Sequence, residues 1–165
     1  MIYQTLKLIK NKNEDIKMNT WIKKILISRA GYGIMLSRIA IGIIFVAHGS
    51  QKLFGAFGGD GLSETAMFLE SLGISSSFFM AILVGSTEFF GGLALIIGLL
   101  VRPAALALVI AMLVAIFSVH INNGLFLSNN GYEYALALLA VSLMILIEGA
   151  GRWSFDRYIT QEYLK

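Results

Sequence analysis

His48, Gln51 and Lys52 stand three and four residues apart in the stretch VAHGSQKLFGAF. On a helix that spacing puts an imidazole, an amide and an ammonium on one face. Such a set can hydrogen-bond a small molecule and exchange a proton with it. Glu88 interrupts a second apolar run, FFMAILVGSTEFFGGLALII, about 15 Å into it at 1.5 Å per residue. A carboxylate at that depth costs about 3 kcal/mol on insertion scales, so it should be protonated or paired with a cation. Lys52 and His48 are the nearest candidates by depth, the lysine reaching with its long stem. His120, Tyr132 and Glu133 fall at the ends of two further apolar runs, beside Tyr134. Together they predict an outward-opening polar pocket lined by His48, Gln51, Lys52, Glu88, His120, Tyr132 and Glu133. The competing reading is a hydrogen-bonded cluster that sets helix register and does nothing else.

The elements that must position these groups are membrane helices. Of 165 residues, 57% are hydrophobic and only 14% charged. A soluble domain carries about 25% charged residues. Mean hydropathy is +0.76. A helix crossing about 30 Å of hydrocarbon needs about 20 apolar residues. Four segments are predicted to cross: about Met35 to Phe54, Phe78–Val101, Pro103–Val119, and about Tyr132 to Gly149, whose apolar core is short. The fold class expected is therefore all-α, an integral membrane four-helix bundle. Pro103 fits the first position of the third helix, where a missing N–H costs little. In the first outer loop, LSETAMFLESLG reads as a short amphipathic helix over the bundle mouth, stopped by Gly73. Small residues at helical spacing supply close contact: Ala81, Gly85, Glu88 and Gly92 on one face, Ala107, Ala111 and Ala115 on another.

Charge sets the expected orientation. Four spans with both termini in the cytoplasm put 12 of the 13 Lys and Arg inside and leave only Lys52 near the outer face. Arg38 and Arg102 then read as inner-face topology signals touching head groups. The expected organisation is a basic cytosolic segment over residues 1–30, a membrane domain over 31–158 and a tail over 159–165. Met18 offers an alternative start, and no small-residue cleavage site follows the first apolar run, so that run should be retained.

With no cysteine, the chain itself has no disulfide, thiolate metal site or thiol redox chemistry. It carries no phosphate loop, dinucleotide fingerprint or nucleophile elbow, and no nucleic-acid partner is expected. No metal is assigned. His48 and His120 on different helices raise haem ligation, but their depths match poorly and no glycine notch accompanies them. No cofactor is assigned with certainty. A quinone head group suits the pocket best, since its carbonyls accept hydrogen bonds, its ring packs on Phe and Tyr, and its tail can leave through lipid.

RIAIGIIFVAHGSQKLFG, EFFGGLALIIGLLVRPAALAL, EYALALLAVSL and GAGRWSFD together resemble the DoxX family of bacterial inner-membrane proteins, from Arg38 to about Arg157. The resemblance carries His48, Gly49, Gln51, Lys52, Glu88, Arg102, Glu133, Gly151, Arg152 and Trp153 onto the family pattern. It departs at HINNGLF, where aromatic residues are commoner, and at Phe155, where leucine is usual. It implies a four-helix protein of the cytoplasmic membrane. It also implies a link to quinone-linked oxidoreductase systems and to oxidative, thiol or quinone stress, sometimes beside a soluble redox partner. Thiosulfate oxidation, the activity of one relative, does not transfer to a chain without cysteine. The alternatives carried forward are a non-enzymatic membrane scaffold or assembly partner for a soluble oxidoreductase, and a small-solute transporter, which would need a homo-oligomer.

Overall fold

The architecture comes from a computed structural model that describes residues 31–163. The expected basic segment 1–30, with Met18, lies outside the described residues. Among the described residues six helices follow one another: α1 (Tyr32–Phe54), α2 (Gly61–Ser71), α3 (Ser77–Ile97), α4 (Val101–Ala115), α5 (Glu133–Glu148) and α6 (Phe155–Tyr163). Past Ala115 the helical path continues as a π turn, Ile116–His120, and a 3-10 turn, Ile121–Asn123. Among the described residues there is no strand.

Among the described residues three helices are long and apolar enough to cross a membrane: α1, α3, and α4 with its extension to Asn123. The 23 residues of α1 reach about 35 Å. The 16 residues of α5 reach only about 24 Å, short of the hydrocarbon thickness. Yet α5 runs between the same two ends as α1. The Tyr134 ring near its start lies 5.9 Å from the His48 ring, and the Ala150 carbonyl just past its end accepts from Arg38 Nε at 2.9 Å. Around the bundle α1 packs on α3 and α5, and α4 packs on the same two helices. The fold is thus an all-α membrane bundle of four helices, the fourth shorter than the others.

Glycine lets α1 and α3 touch backbone to backbone. The expected stripe of Ala81, Gly85, Glu88 and Gly92 is buried and faces α1. A Cβ added to Gly92 would lie 2.7 Å from the Gly42 carbonyl, and one on Gly85 would lie 2.8 Å from the Leu53 side chain. Lipid is as apolar as leucine, so this close approach, rather than burial of apolar surface, holds the pair together. The second expected stripe is not a tight seam. The face that α4 buries consists of Val101, Ala105, Leu108, Val109 and Met112, and Ala107, Ala111 and Ala115 are only half-buried. Bulky residues fill that seam because α3 leaves room for them: Gly91 sits against Leu108.

One end of the bundle is closed by a polar clasp. Leu100, between α3 and α4, has φ 50°, a left-handed conformation that costs a non-glycine residue of order 1 kcal/mol or more. Asp156 offsets it. Its Oδ1 accepts from the Leu100 N–H at 2.7 Å and its Oδ2 from the Val101 N–H at 2.9 Å, capping α4 from a distant part of the chain. Helix α4 therefore starts at Val101. Pro103 is its third residue rather than its first, still inside the turn whose N–H groups lack helical acceptors.

Arg38 corrects a second expectation. It is not a head-group contact, for it is 1% exposed. Its guanidinium donates to the carbonyls of Ala150, Leu95, Ile96 and Trp153. Those carbonyls lie at the end of α3 and in the chain after α5, where helices leave acceptors unmatched, and a guanidinium has five N–H groups to give. Arg102 is half-buried and donates to the Ile147 carbonyl at 3.1 Å.

At the opposite end, α2 forms where the amphipathic helix was expected. Gly73, at φ +77°, ends it with a bond from its N–H to the Glu70 carbonyl, joined by one from the Ile74 N–H to Leu69. Helix α2 packs on α3 and α1. Helix α6 runs from Phe155 to Tyr163, across residue 158.

Candidate functional site

A cavity of about 320 Å³ lies at the end of the bundle opposite Arg38. Helix α1 contributes Phe45, His48 and Lys52, α3 contributes Met80, Val84 and Glu88, and α4 with its π turn contributes Met112, Ser118 and His120. Tyr134 and Leu138 come from α5, and Thr65, Phe68 and Leu69 come from α2.

The charged wall is a single ion pair. Lys52 Nζ donates to Glu88 Oε2 at 2.6 Å. Glu88 is 4% exposed, whereas the Lys52 side chain keeps 29% of its surface accessible. Lys52 stands in the last turn of α1, and its stem runs toward the deeper carboxylate, as the sequence predicted. Gly85 makes room for that stem, since a Cβ there would sit 3.4 Å from Lys52 Cβ. An ion pair at this depth lets both groups keep a partner where water is scarce. The ammonium has three N–H donors and Glu88 engages one, so others can meet a ligand.

His48 stands one turn below Lys52 and faces the Tyr134 ring at a 54° tilt. Gln51 does not line the cavity. The π turn ends at His120, whose Nδ1 is 2.8 Å from the Asn130 carbonyl. A carbonyl only accepts, so Nδ1 is the donor in this contact. Insertion of a π turn into a helix redirects the residues that follow and is frequent at functional sites.

Of the residues expected at the site, the fold brings His48, Lys52, Glu88 and His120 to one cavity. It leaves Gln51, Tyr132 and Glu133 outside the lining. Glu133 accepts from the Leu127 N–H at 2.6 Å, so it braces the loop before α5. Tyr132 packs against the apolar core. The expectation of a polar pocket also changes. The polar groups come from several helices, and the rest of the lining is mostly apolar, from Phe45, Met80, Val84, Met112 and Leu138. Tyr134, expected beside the mouth, lines the cavity, whereas sequence reasoning missed Thr65, Phe68 and Leu69 on α2. Those three share one helical face at spacings of three and four, which was the available signal.

At the clasp end, outside the spans, burial pushes the Asp156 carboxyl above its ordinary range. The Val101 and Leu100 N–H groups and the Arg38 and Arg102 cations pull it the other way.

Comparison with known proteins follows the same residues. Residues 33–121, over half of the chain, match the family model DoxX. The chain belongs to the DoxX family. The DoxX match takes in α1 to α4 and includes His48, Lys52, Glu88 and His120. This DoxX protein is 30% identical over 131 residues to "Inner membrane protein YqjF" of Escherichia coli, covering 79% of this chain and 95% of that one. It is 30% identical over 113 residues to "Putative oxidoreductase CatD" of Bacillus subtilis, covering 68% of this chain and 78% of the relative. An uncharacterized membrane protein of Mycobacterium tuberculosis is 31% identical over 134 residues, 75% of this chain and 79% of that protein. No solved structure matches. The family, the inner-membrane relative and the apolar helices make this DoxX protein a multi-pass protein of the bacterial inner membrane.

Proposed function

We propose that this DoxX protein binds the head group of a quinone, or a similar planar carbonyl compound, in the cavity beside Lys52 and Glu88. It would serve there as the membrane subunit of a redox system. One observation carries the reading: an ion pair with a buried carboxylate borders a cavity whose lining is otherwise mostly apolar. A solely structural pair has no use for adjoining empty space. A ring bearing two carbonyls matches both surfaces, accepting from Lys52 Nζ on one side and packing on Phe45, Met80 and Met112 on the other. His48 and Tyr134 supply exchangeable protons within the same wall. Reduction of a quinone to a quinol takes two electrons and two protons. The electrons would come from a soluble donor protein, the partner role the family resemblance implies. Likeness to a relative named as an oxidoreductase supports this assignment. In the orientation that suits the basic residues, both termini and the Arg38 clasp face the cytoplasm and the cavity opens outward.

The test is binding of a short-chain quinone to the purified full chain, followed by calorimetry in detergent. Glu88→Gln and Lys52→Met should each weaken it by tenfold or more, about 1.4 kcal/mol or above. Unchanged affinity in both variants would sink the reading.

A second reading has its own support, because the same pair also rivets α1 to α3 across their glycine seam. If Lys52→Met and Glu88→Gln lower thermal stability while wild type binds no quinone, the chain is a scaffold and the pair a rivet.

A further inference from the structure

We propose that a groove beside α6, at the clasp end of the bundle, binds the phosphate of an anionic phospholipid. The groove has a volume of about 400 Å³ and is lined by Tyr32, Arg152, Trp153, Ser154, Arg157 and Tyr158, with Gln161 at its edge. It is remote from the Lys52–Glu88 cavity and owes nothing to the quinone assignment.

Charge comes first. Two guanidinium groups border the groove and, among the described residues, no carboxylate does. Among the described residues, neither Arg152 nor Arg157 is in an ion pair. The Arg152 guanidinium carbon lies 4.7 Å from the centre of the Tyr32 ring. That contact orients the cation without neutralising it. A planar guanidinium matches the oxygens of a phosphate, and two of them match its charge.

Depth points to lipid. Helix α1 begins at Tyr32 and α5 ends at Glu148, so the groove sits where the bundle leaves the hydrocarbon. Trp153 is 79% exposed and Tyr158 59%. Tryptophan and tyrosine gather at that level because their rings are apolar and their edges polar. The Trp153 backbone is held left-handed at φ 50°, its carbonyl drawn to Arg38 while its ring stays out. The clasp thus sustains a strained residue whose ring borders the groove. Basic pockets at the cytoplasmic ends of spans are the sites that hold anionic head groups.

Residues 1–30 precede Tyr32 in the sequence and are the other candidate occupant. They carry seven Lys and Arg against Glu14 and Asp15, the wrong sign to neutralise two arginines.

The test uses the full chain with Trp21→Phe, which leaves Trp153 as its one tryptophan. Reconstituted in phosphatidylcholine vesicles, it is titrated with brominated phosphatidylglycerol or brominated phosphatidylcholine, and Trp153 fluorescence is read. The anionic lipid should quench at about fivefold lower mole fraction. That preference should vanish in Arg152→Gln/Arg157→Gln and survive in Arg152→Lys/Arg157→Lys. Equal quenching by the two lipids in the wild-type groove overturns the proposal, and this arm needs no groove variant to fold. A preference unchanged in the glutamine variant overturns it as well. Millimolar inorganic phosphate at constant ionic strength should leave the preference intact. If phosphate abolishes it, the site takes a free anion and the lipid assignment falls.

Discussion

The two ends of this bundle handle polar groups in opposite ways. At the clasp end, Arg38 gives its guanidinium to four carbonyls, and Asp156 caps two N–H groups of α4. Gly98 is packed so closely that a Cβ would lie 2.6 Å from Ser154 Cβ. At the cavity end, Lys52 and Glu88 satisfy each other but border about 320 Å³ of space, with His48, His120 and Tyr134 around it. Both ends contain a buried charge. Arg38 and Asp156 line neither of the two cavities described, whereas Lys52 and Glu88 border room for a small molecule. Buried charge alone therefore does not mark a binding site in a membrane protein. Charge next to unfilled volume does.

The comparison is open to direct attack. The largest effect should come from Arg38→Ala, which strands four carbonyls, two of them in fully buried bonds. Loss of about 3–5 kcal/mol, read as a collapse of the thermal unfolding midpoint in detergent, is expected. A midpoint within a few degrees of wild type would remove the contrast between the ends. Next comes Glu88→Gln at the cavity end. It should cost under about 2 kcal/mol in the same measurement, because polar contacts between membrane helices rarely exceed that. A loss as large as that of Arg38→Ala would make the pair a structural bond first. The smallest effect concerns Asp156. Its carboxyl is raised above the ordinary range, so the folded chain holds that proton more tightly than the unfolded one. Stability from this group is present at low pH and is lost as pH rises through the folded-state value. Relative to Asp156→Asn, wild type should gain midpoint as pH falls through the carboxylate range. The opposite slope would mean that the N–H donors and arginines outweigh burial.

Much of the architecture was legible in order along the chain. Apolar length located α1, α3 and α4, and Gly73 marked the end of α2, since a stop signal is a local matter of backbone freedom. The Gly85–Gly92 stripe announced the tight seam with α1 because small residues at helical spacing have few other uses in lipid. Joining Lys52 to Glu88 was also within reach, since depth can be counted in residues and a deep carboxylate needs a partner. Glu133 and Tyr132 misled for the same reason: depth alone placed them at the mouth, while a loop N–H and the apolar core claimed them.

What the sequence determined by itself is everything governed by one-dimensional quantities: the solvent is lipid, the elements are helices, and a cation and an anion lie at depths that can meet. Only the tertiary structure decided which polar groups are spent and which border a space. Arg38 and Asp156 lie 118 positions apart along the chain, and no periodicity connects them. Their roles arise when the chain after α5 folds back over the ends of α1 and α3, bringing orphan carbonyls and N–H groups to partners that local spacing does not specify. The cavity has the same origin. It is volume that four helices and the cover α2 leave unfilled, and volume between elements belongs to no single stretch of residues.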